Sequence, residues 1–356
     1  KEAPHCDIIF WRNKMKRILF NHLIYISIAT ATTFKVPSQF STIQAGIDAS
    51  SNGDTVLVAA GTYKENIDFY GMNIVLASRF IFSGDKRYIK KTIIKGQGEG
   101  PTVTFSGGED ISSAIIGFTI SGGEGSIGGG VFCSMASPSL RNLIIKDNRA
   151  EKGGGVGLYA SNPQIRNVAI LGNTAFSSAG LYLTSFSSPI LSNVLIANNT
   201  TYFSGGSIFI EEYSEPEFNN VTISGNGPPK KIPKWFKFFG EVDFSRVNGI
   251  HISNGSKVIF NNSIIWNDSD IEIYFREYGK SSSLTISYTN LKGGRYSIVN
   301  DYNSGEINWK EGNVSLEPQF INPKKNNYMR HSSSLSINIG NTQSSQENMG
   351  AYIDWN

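Results

Sequence analysis

A cluster of basic and aromatic side chains interrupts the second half of the chain. The segment 228–247, PPKKIPKWFKFFGEVDFSRV, carries four lysines, one arginine and five large aromatic residues. Aromatic rings stack on the apolar faces of sugars, lysine attracts acidic glycans, and long loops on a regular scaffold tend to carry function. The candidate ligand-binding residues are Lys234, Trp235, Phe236, Lys237 and Phe239. The same rings could instead pack on the scaffold as a lid, and both interpretations stay open.

The acidic residues form no recognisable catalytic set. A polysaccharide lyase needs a basic side chain and acidic Ca²⁺ ligands, and a glycosidase needs two carboxylates at a fixed separation. None of the acids recurs at one phase of the chain beside a second acid, so we interpret each as a solvated turn residue. The acids concerned are Glu109, Asp110, Asp147, Glu211, Glu212, Asp268 and Asp270. We expect no cofactor, and Ca²⁺ only if the protein is a lyase.

The composition is that of a folded, turn-rich and mostly β protein. Of 356 residues, 37 are glycine, 12% are aromatic and only 17% are charged, which argues against both disorder and a long-helix protein. The net charge of +3 comes entirely from residues 1–34, because the remaining chain carries 27 basic and 27 acidic residues. A neutral body argues against nucleic acid as the main partner.

The first residues are typical of a secretory leader. Met15 is followed by Lys16 and Arg17, a short apolar stretch and the sequence Ala29-Thr30-Ala31, the pattern of a cleaved signal peptide. We therefore predict that 1–14 is an upstream over-call, that 15–31 is a signal peptide, and that the protein is secreted. The mature chain then keeps only Cys133, which we expect to be buried and unreactive in an apolar strand.

The body of the chain is a repeat of about 25 residues. Its clearest copies occupy 128–148, 153–173, 179–199 and 205–226, with a fifth at 249–268. Proline and asparagine recur in phase in the first four copies, with spacings of 25, 26 and 27 residues. The prolines are Pro138, Pro163, Pro189 and Pro216, and the asparagines are Asn142, Asn167, Asn193 and Asn220, continued by Asn262.

Three short strands and three turns fit in each repeat, and no helical period appears. This pattern predicts one coil of a parallel β-helix, in which each coil stacks on the next. The segment STIQAGIDAS, 41–50, predicts a short capping helix before a first strand at Asp54. We place the β-helix at 32–300 and a closing segment at 301–356, where Trp309, Phe320 and Tyr328 would close the last coil.

The recurring asparagines precede each aliphatic triplet, at a turn. Stacked coils would place their side chains over one another, so that each amide donates to a carbonyl of the next coil. We therefore predict a structural ladder formed by Asn142, Asn167, Asn193, Asn220 and Asn262.

The segment 41–78, the repeats with the form GGGV…P-x-x-x-N, and the end SINIGNT…NMGAY resemble secreted bacterial β-helix proteins of the pectate-lyase-like superfamily. Ser336 departs from the cysteine that is usual in the closing pattern. The resemblance implies an all-β, right-handed, single-stranded parallel β-helix solenoid over about 35–356. A weaker likeness is to the repeats of polymorphic outer-membrane adhesins.

Three functions remain open at this level. The first is a non-enzymatic, secreted or cell-surface protein that binds or adheres to polysaccharide, as a monomer and without a transmembrane segment. The second is a polysaccharide lyase or glycoside hydrolase of unrecognised type. The third is a purely structural role in a surface layer or as a passenger domain. A groove with clustered acids and a basic residue on one β-face would favour the second.

Overall fold

The structure, a computed structural model, describes residues 31–229, 231, 249–336, 340 and 349–351. The chain divides into a unit of residues 1–31 and a unit of residues 32–356, and only the second is described beyond a single residue. The predicted leader therefore lies outside the described residues, apart from Ala31.

Short strands dominate the second unit. In chain order the first strands are β1 (Thr33–Val36), β2 (Thr55–Val58), β3 (Gly61–Lys64), β4 (Ile67–Asp68), β5 (Val75–Ser78), β6 (Thr92–Lys95), β7 (Val103–Phe105), β8 (Ala114–Ile116), β9 (Thr119–Ser121), β10 (Glu124–Ile127), β11 (Val131–Ser134), β12 (Ser139–Lys146), β13 (Arg149–Lys152), β14 (Val156–Tyr159), β15 (Gln164–Leu171) and β16 (Thr174–Ser177). The later strands are β17 (Leu181–Thr184), β18 (Ile190–Ala197), β19 (Thr200–Ser204), β20 (Ile208–Ile210), β21 (Glu217–Ser224), β22 (Ile250–Ile252), β23 (Lys257–Asn261), β24 (Ile264–Trp266), β25 (Ile273–Phe275), β26 (Ser282–Ser287), β27 (Asn290–Leu291), β28 (Ile298–Asn300), β29 (Gly305–Trp309), β30 (Phe320–Asn322) and β31 (Asn327–Arg330). The helices are α1 (Ile43–Asp48), α2 (Phe80–Ser83) and α3 (Arg87–Lys91), with 3₁₀ turns at Gly294–Ser297, Asp301–Asn303 and Pro323–Lys325.

The strands stack into a right-handed parallel solenoid of about ten coils. The largest sheet, sheet A, runs from β1 to β29 and bends over two faces, sheet B runs from β4 to β28, and sheet C contains β10, β13, β16 and β19. In sheet B, Val131 pairs with Val156, Val156 with Leu181, and Leu181 with Ile208, so paired residues are 25, 25 and 27 positions apart. Ile208 and Ile250 pair although they are 42 positions apart, so the coil that contains the segment 228–247 keeps the register.

Side chains along each strand alternate between the two faces of the sheet, so every second residue points into the interior of the solenoid. Val131, Leu158, Leu181 and Ile208 are fully buried there. The four eight-residue strands of sheet A turn a corner at their asparagine, which has φ between +53° and +55°. These inward rows form one continuous apolar core along the solenoid.

The predicted capping helix is confirmed as α1. Thr42 is its N-cap, and Ile43 and Ile47 are fully buried at the start of the solenoid. The Glu65 carboxylate accepts hydrogen bonds from the backbone N–H groups of Ile43 and Gln44, at 2.9 and 3.0 Å. The strand predicted at Asp54 is the second of the stack and not the first, because β1 precedes this helix and pairs with β2.

The closing segment differs from the expectation. Trp309 packs against the interior in the last strand of sheet A, β29, so the stack extends beyond residue 300. Phe320 and Tyr328, in the antiparallel pair β30–β31, do not close the last coil. They pack on the outer flank of the middle coils, against Leu171 and Leu195 among others. The continuous apolar runs at 168–171 and 194–197 reflect this covering, since those strands are buried on both faces.

Candidate functional site

A row of aromatic side chains runs along the outer face of sheet B. Tyr182, Phe209, His251 and Tyr274 pair with one another on consecutive coils. Their neighbours in each strand point inward, so these four rings point away from the core. The ring centroids are 6.1, 5.8 and 5.3 Å apart along the row. The first three side chains are nevertheless at most 5% exposed, so this part of the outer face is covered.

A charged cluster lies at the rim of this row, at the corner between sheets B and C. Lys152, at the end of β13, donates a hydrogen bond from Nζ to Tyr182 Oη at 3.0 Å. The Tyr182 hydroxyl donates in turn to Glu211 Oε1, and Lys152 Nζ lies 3.8 Å from the same carboxylate oxygen. Burial, and then the hydrogen bond to Glu211, raises the pKa of Tyr182. The phenol is therefore held protonated between a cation and an anion.

Two further charged residues complete this group, which we call the sheet B cluster: Lys152, Tyr182, Glu211, Glu212 and Arg276. The Glu212 carboxylate accepts hydrogen bonds from Thr184 Oγ1 at 2.7 Å and Ser185 Oγ at 2.8 Å. These hydrogen bonds lower the pKa of Glu212, so it is ionised near neutral pH. Arg276 lies over the Phe209 ring, with Cζ 5.1 Å from the centroid.

The cluster presents donors, acceptors and both signs of charge on neighbouring coils. The side chains of Lys152 and Glu211 are 44% and 16% exposed, so solvent and solutes reach the charged groups from outside. Convergent polar groups of this kind orient a polyhydroxylated ligand. The interpretation of Glu211 as a solvated turn residue is wrong, because its carboxylate is mostly buried and bonded to Tyr182. The pairing joins residues 29 positions apart, which the sequence alone does not reveal.

The asparagines predicted as a ladder lie above one another at the corner of sheet A. Asn167 Nδ2 donates to Asn142 Oδ1 at 3.2 Å, and Asn193 Nδ2 donates to Asn167 Oδ1 at 2.8 Å. In both of these hydrogen bonds the acceptor is the side-chain oxygen of the asparagine one coil earlier. Asn220 and Asn262 occupy the same left-handed turn position, with φ of +55° and +50°, and are buried.

A second and more deeply buried ladder escaped the sequence analysis. It runs inside the turn that precedes sheet C. The side-chain oxygen of every member after the first accepts from both the backbone N–H and the Nδ2 of the asparagine one coil earlier. Its members are Asn148, Asn173, Asn199, Asn226 and Asn267. The sequence does contain a sign of this ladder, because an asparagine ends each of the four aligned repeats at the same spacings as the prolines.

This internal ladder ends on a carboxylate. Glu272 accepts from the backbone N–H and the Nδ2 of Asn267, both at 2.7 Å, and is itself fully buried. Burial raises the pKa of Glu272 to about 7. Lys292 Nζ donates to the backbone oxygen of Asn267 at 2.9 Å and so places a positive charge nearby.

The other sequence predictions have mixed outcomes. The candidate ligand-binding residues Lys234, Trp235, Phe236, Lys237 and Phe239 lie outside the described residues. Cys133 is confirmed as fully buried, and burial raises the pKa of its thiol. Across the part of the chain that the structure describes, no group of three or more His, Cys, Asp or Glu side chains is arranged to hold a metal ion.

A separate cleft of about 760 Å³ opens where the pair β30–β31 meets the flank of the solenoid. Trp266, Asp268 and Glu317 line it together with Lys146 and Lys324. Tyr328 Oη donates to Asn198 Oδ1 at 3.0 Å and fixes the segment at one wall. The cleft holds charges of both signs but lies apart from the sheet B cluster, on the outer flank of sheet A.

The sequence pattern of the "right handed beta helix region" family matches residues 160–343, slightly more than half of the chain. The chain belongs to the right-handed β-helix family. The matched range includes most of the sheet B cluster but not Lys152. A comparison with curated protein sequences gives no significant match.

Three solved structures are similar to this chain. A pectate lyase, Pel9A, superposes with a TM-score of 0.52 and 13% identity, covering 92% of this chain and 97% of that one. An alginate lyase from Paenibacillus sp. str. FPU-7 gives a TM-score of 0.43 at 13% identity, over 73% and 87% of the two chains. A pectin methylesterase from carrot gives 0.40 at 12% identity, over 80% and 82%. At these identities the likeness concerns the fold alone. Among the described residues, no helix is long and apolar enough to cross a bilayer.

Proposed function

We propose that this chain is a secreted β-helix protein that binds polysaccharide at the sheet B cluster. The observation that carries the proposal is the contact between Lys152, Tyr182 and Glu211, which brings a cation, a phenol and a carboxylate together at an accessible corner of the solenoid. Sugar hydroxyls both donate and accept hydrogen bonds, so they match a surface that offers both kinds of partner. The members of the cluster lie on neighbouring coils, so the surface extends along the axis of the solenoid, which suits a linear polymer.

A matched pair of variants tests the site. In the purified protein, Lys152→Ala removes the cation that is bonded to Tyr182, whereas Lys257→Ala removes a lysine from an exposed ion pair with Glu215 elsewhere on the solenoid, at 2.7 Å. We expect Lys152→Ala to weaken binding to polysaccharides on a glycan array and in titration by at least fivefold, and Lys257→Ala to leave it unchanged. Equal losses in the two variants, or no polysaccharide bound by the wild type, would contradict the proposal.

A second candidate function is cleavage of the bound polysaccharide by general acid–base chemistry. It is favoured by the chain of hydrogen bonds from Lys152 through Tyr182 to Glu211, because this geometry places a hydroxyl proton beside a carboxylate that could act as a base. Hydrolysis would release reducing ends, and elimination would release unsaturated ends. If the protein cleaves, Glu211→Gln should lose this release while it still binds. If no product forms from any polysaccharide that binds, the protein is a binding protein only.

A further inference from the structure

The turn after sheet B carries a row of equivalent positions on successive coils, two of which hold exposed aromatic side chains. Each member comes directly before a buried residue of a serine ladder, in which the backbone N–H of one serine donates to the Oγ of the serine on the next coil. The ladder contains Ser161, Ser187, Ser214 and Ser256. The row beside it consists of Ala160, Phe186, Tyr213 and Gly255.

The backbone of this row is left-handed on every one of these coils. The φ angles are +48° at Ala160, +64° at Phe186, +58° at Tyr213 and +74° at Gly255. Glycine adopts this conformation freely, but a bulky side chain is rarely found there. Aromatic residues at two of the positions therefore carry a conformational cost, and strained residues of this kind cluster at functional sites.

Packing does not compensate that cost, because both rings face solvent. Phe186 is 67% exposed and Tyr213 is 40% exposed. The rings are stacked on each other, with centroids 5.4 Å apart and planes inclined by 10°. Behind Tyr213, a side chain at Gly255 would come within 2.6 Å of the phenol ring, so the glycine leaves room for the stack. On the opposite side, the neighbouring position is only the methyl group of Ala160.

The two stacked rings lie next to the sheet B cluster, because they directly follow residues of that cluster or its partners in the sequence. Ser185 and Thr184, which bind the Glu212 carboxylate, immediately precede Phe186, and Glu212 immediately precedes Tyr213. A flat apolar ring thus lies next to an ionised hydrogen-bond acceptor. A protein partner would need about 800 Å² of surface on each side for a stable interface, far more than two rings provide. A single sugar ring matches the platform in size.

We propose that the Phe186–Tyr213 stack is a binding platform for one pyranose ring of a linear β-linked polysaccharide, next to the sheet B cluster. The inference rests on the proposed function and adds the class of sugar. A hexopyranose whose hydroxyls are equatorial exposes an apolar face of axial C–H groups, which packs on the open face of Phe186. Its equatorial hydroxyls then point sideways, where the Glu212 carboxylate can accept a hydrogen bond. Such packing removes apolar surface from water on both sides.

Because glycine accepts the left-handed backbone, each ring can be removed without introducing backbone strain. Phe186→Gly and Tyr213→Gly place at each position the residue already present at Gly255, so we expect the melting midpoint to be unchanged or raised. With cellohexaose as the probe, we expect at least tenfold weaker binding in both variants. Phe186→Trp should retain binding, and Tyr296→Ala, at an isolated side chain that is 99% exposed, should have no effect.

The outcomes separate the two proposals. If the wild type binds no polysaccharide at all, the proposed function is overturned and the platform with it. If the wild type binds and the two glycine variants bind equally well, only the platform is overturned. If the wild type binds polygalacturonate, whose α-linked rings are joined through axial oxygens and each carry a charge, but not cellohexaose, the assigned class of sugar is wrong.

Discussion

Replacing Asn173 by alanine would test the internal asparagine ladder. The Asn173 side chain is fully buried. Its Oδ1 accepts from the backbone N–H and the Nδ2 of Asn148, both at 3.0 Å, and its Nδ2 donates to Ile145 O and Asn199 Oδ1, also both at 3.0 Å. Alanine removes all four hydrogen bonds at once. Asn173 does not have a positive φ, so the alanine introduces no backbone strain.

The expected cost is about 2–6 kcal/mol in the free energy of unfolding, because a buried polar group that loses its partner costs about 1–3 kcal/mol and two donors of Asn148 lose theirs. Equilibrium unfolding in urea, followed by far-UV circular dichroism, measures the change as a lower midpoint. The control is Asn167→Gly, in the half-buried outer ladder, where glycine accepts the φ of +54° and the cost should be about 1 kcal/mol. A loss at Asn173 no larger than that of the control would refute the reasoning.

Three further predictions concern other parts of the molecule. Because the pKa of Glu272 is raised from 4.5 to about 7, its contribution to stability is full below pH 4.5 and is lost as the pH rises through 7; the urea midpoint should be lower at pH 8 than at pH 5, and Glu272→Gln should flatten this difference. The Cys133 thiol should react with a thiol reagent only after unfolding, and rapid reaction in the native protein would contradict its burial. Replacing 228–247 by a five-residue turn should keep the solenoid folded, since Ile208 and Ile250 already pair in register, and should weaken glycan binding; thermal melting and a binding titration on this variant and on Trp235→Ala decide between a binding loop and a lid.

The architecture could be predicted because the solenoid repeats its own sequence. Coils that stack in register place equivalent residues at a constant spacing. Pro138 and Pro163, and the asparagine four residues after each of them, recur at this spacing. The capping helix was equally local, since Thr42 and the buried pair Ile43 and Ile47 lie within a few residues of one another.

The features missed by the sequence analysis depend on contacts between distant residues or on backbone conformation. The sequence predicts Tyr328 at the last coil, but its hydroxyl binds Asn198, 130 positions earlier. Nothing local distinguishes a closing residue from one that folds back along a flank. Phe186 and Tyr213 stand in serine-rich turns, and only the left-handed backbone shows that they occupy a glycine position. The sequence predicts a solvated Glu211, because the partner of this carboxylate, Tyr182, belongs to the preceding coil and is not visible locally.

The returning segment β30–β31 has a mechanical consequence. In an open solenoid each coil contacts only its neighbours, so the end coils can peel away one at a time. Here Phe320 and Tyr328 are anchored against the strands that contain Leu171 and Leu195, well before the end of the stack. A pulling force on the chain just after Arg330 would therefore load the middle coils together with the last ones. The C-terminal half should resist unravelling as one block, and should yield in a single large step.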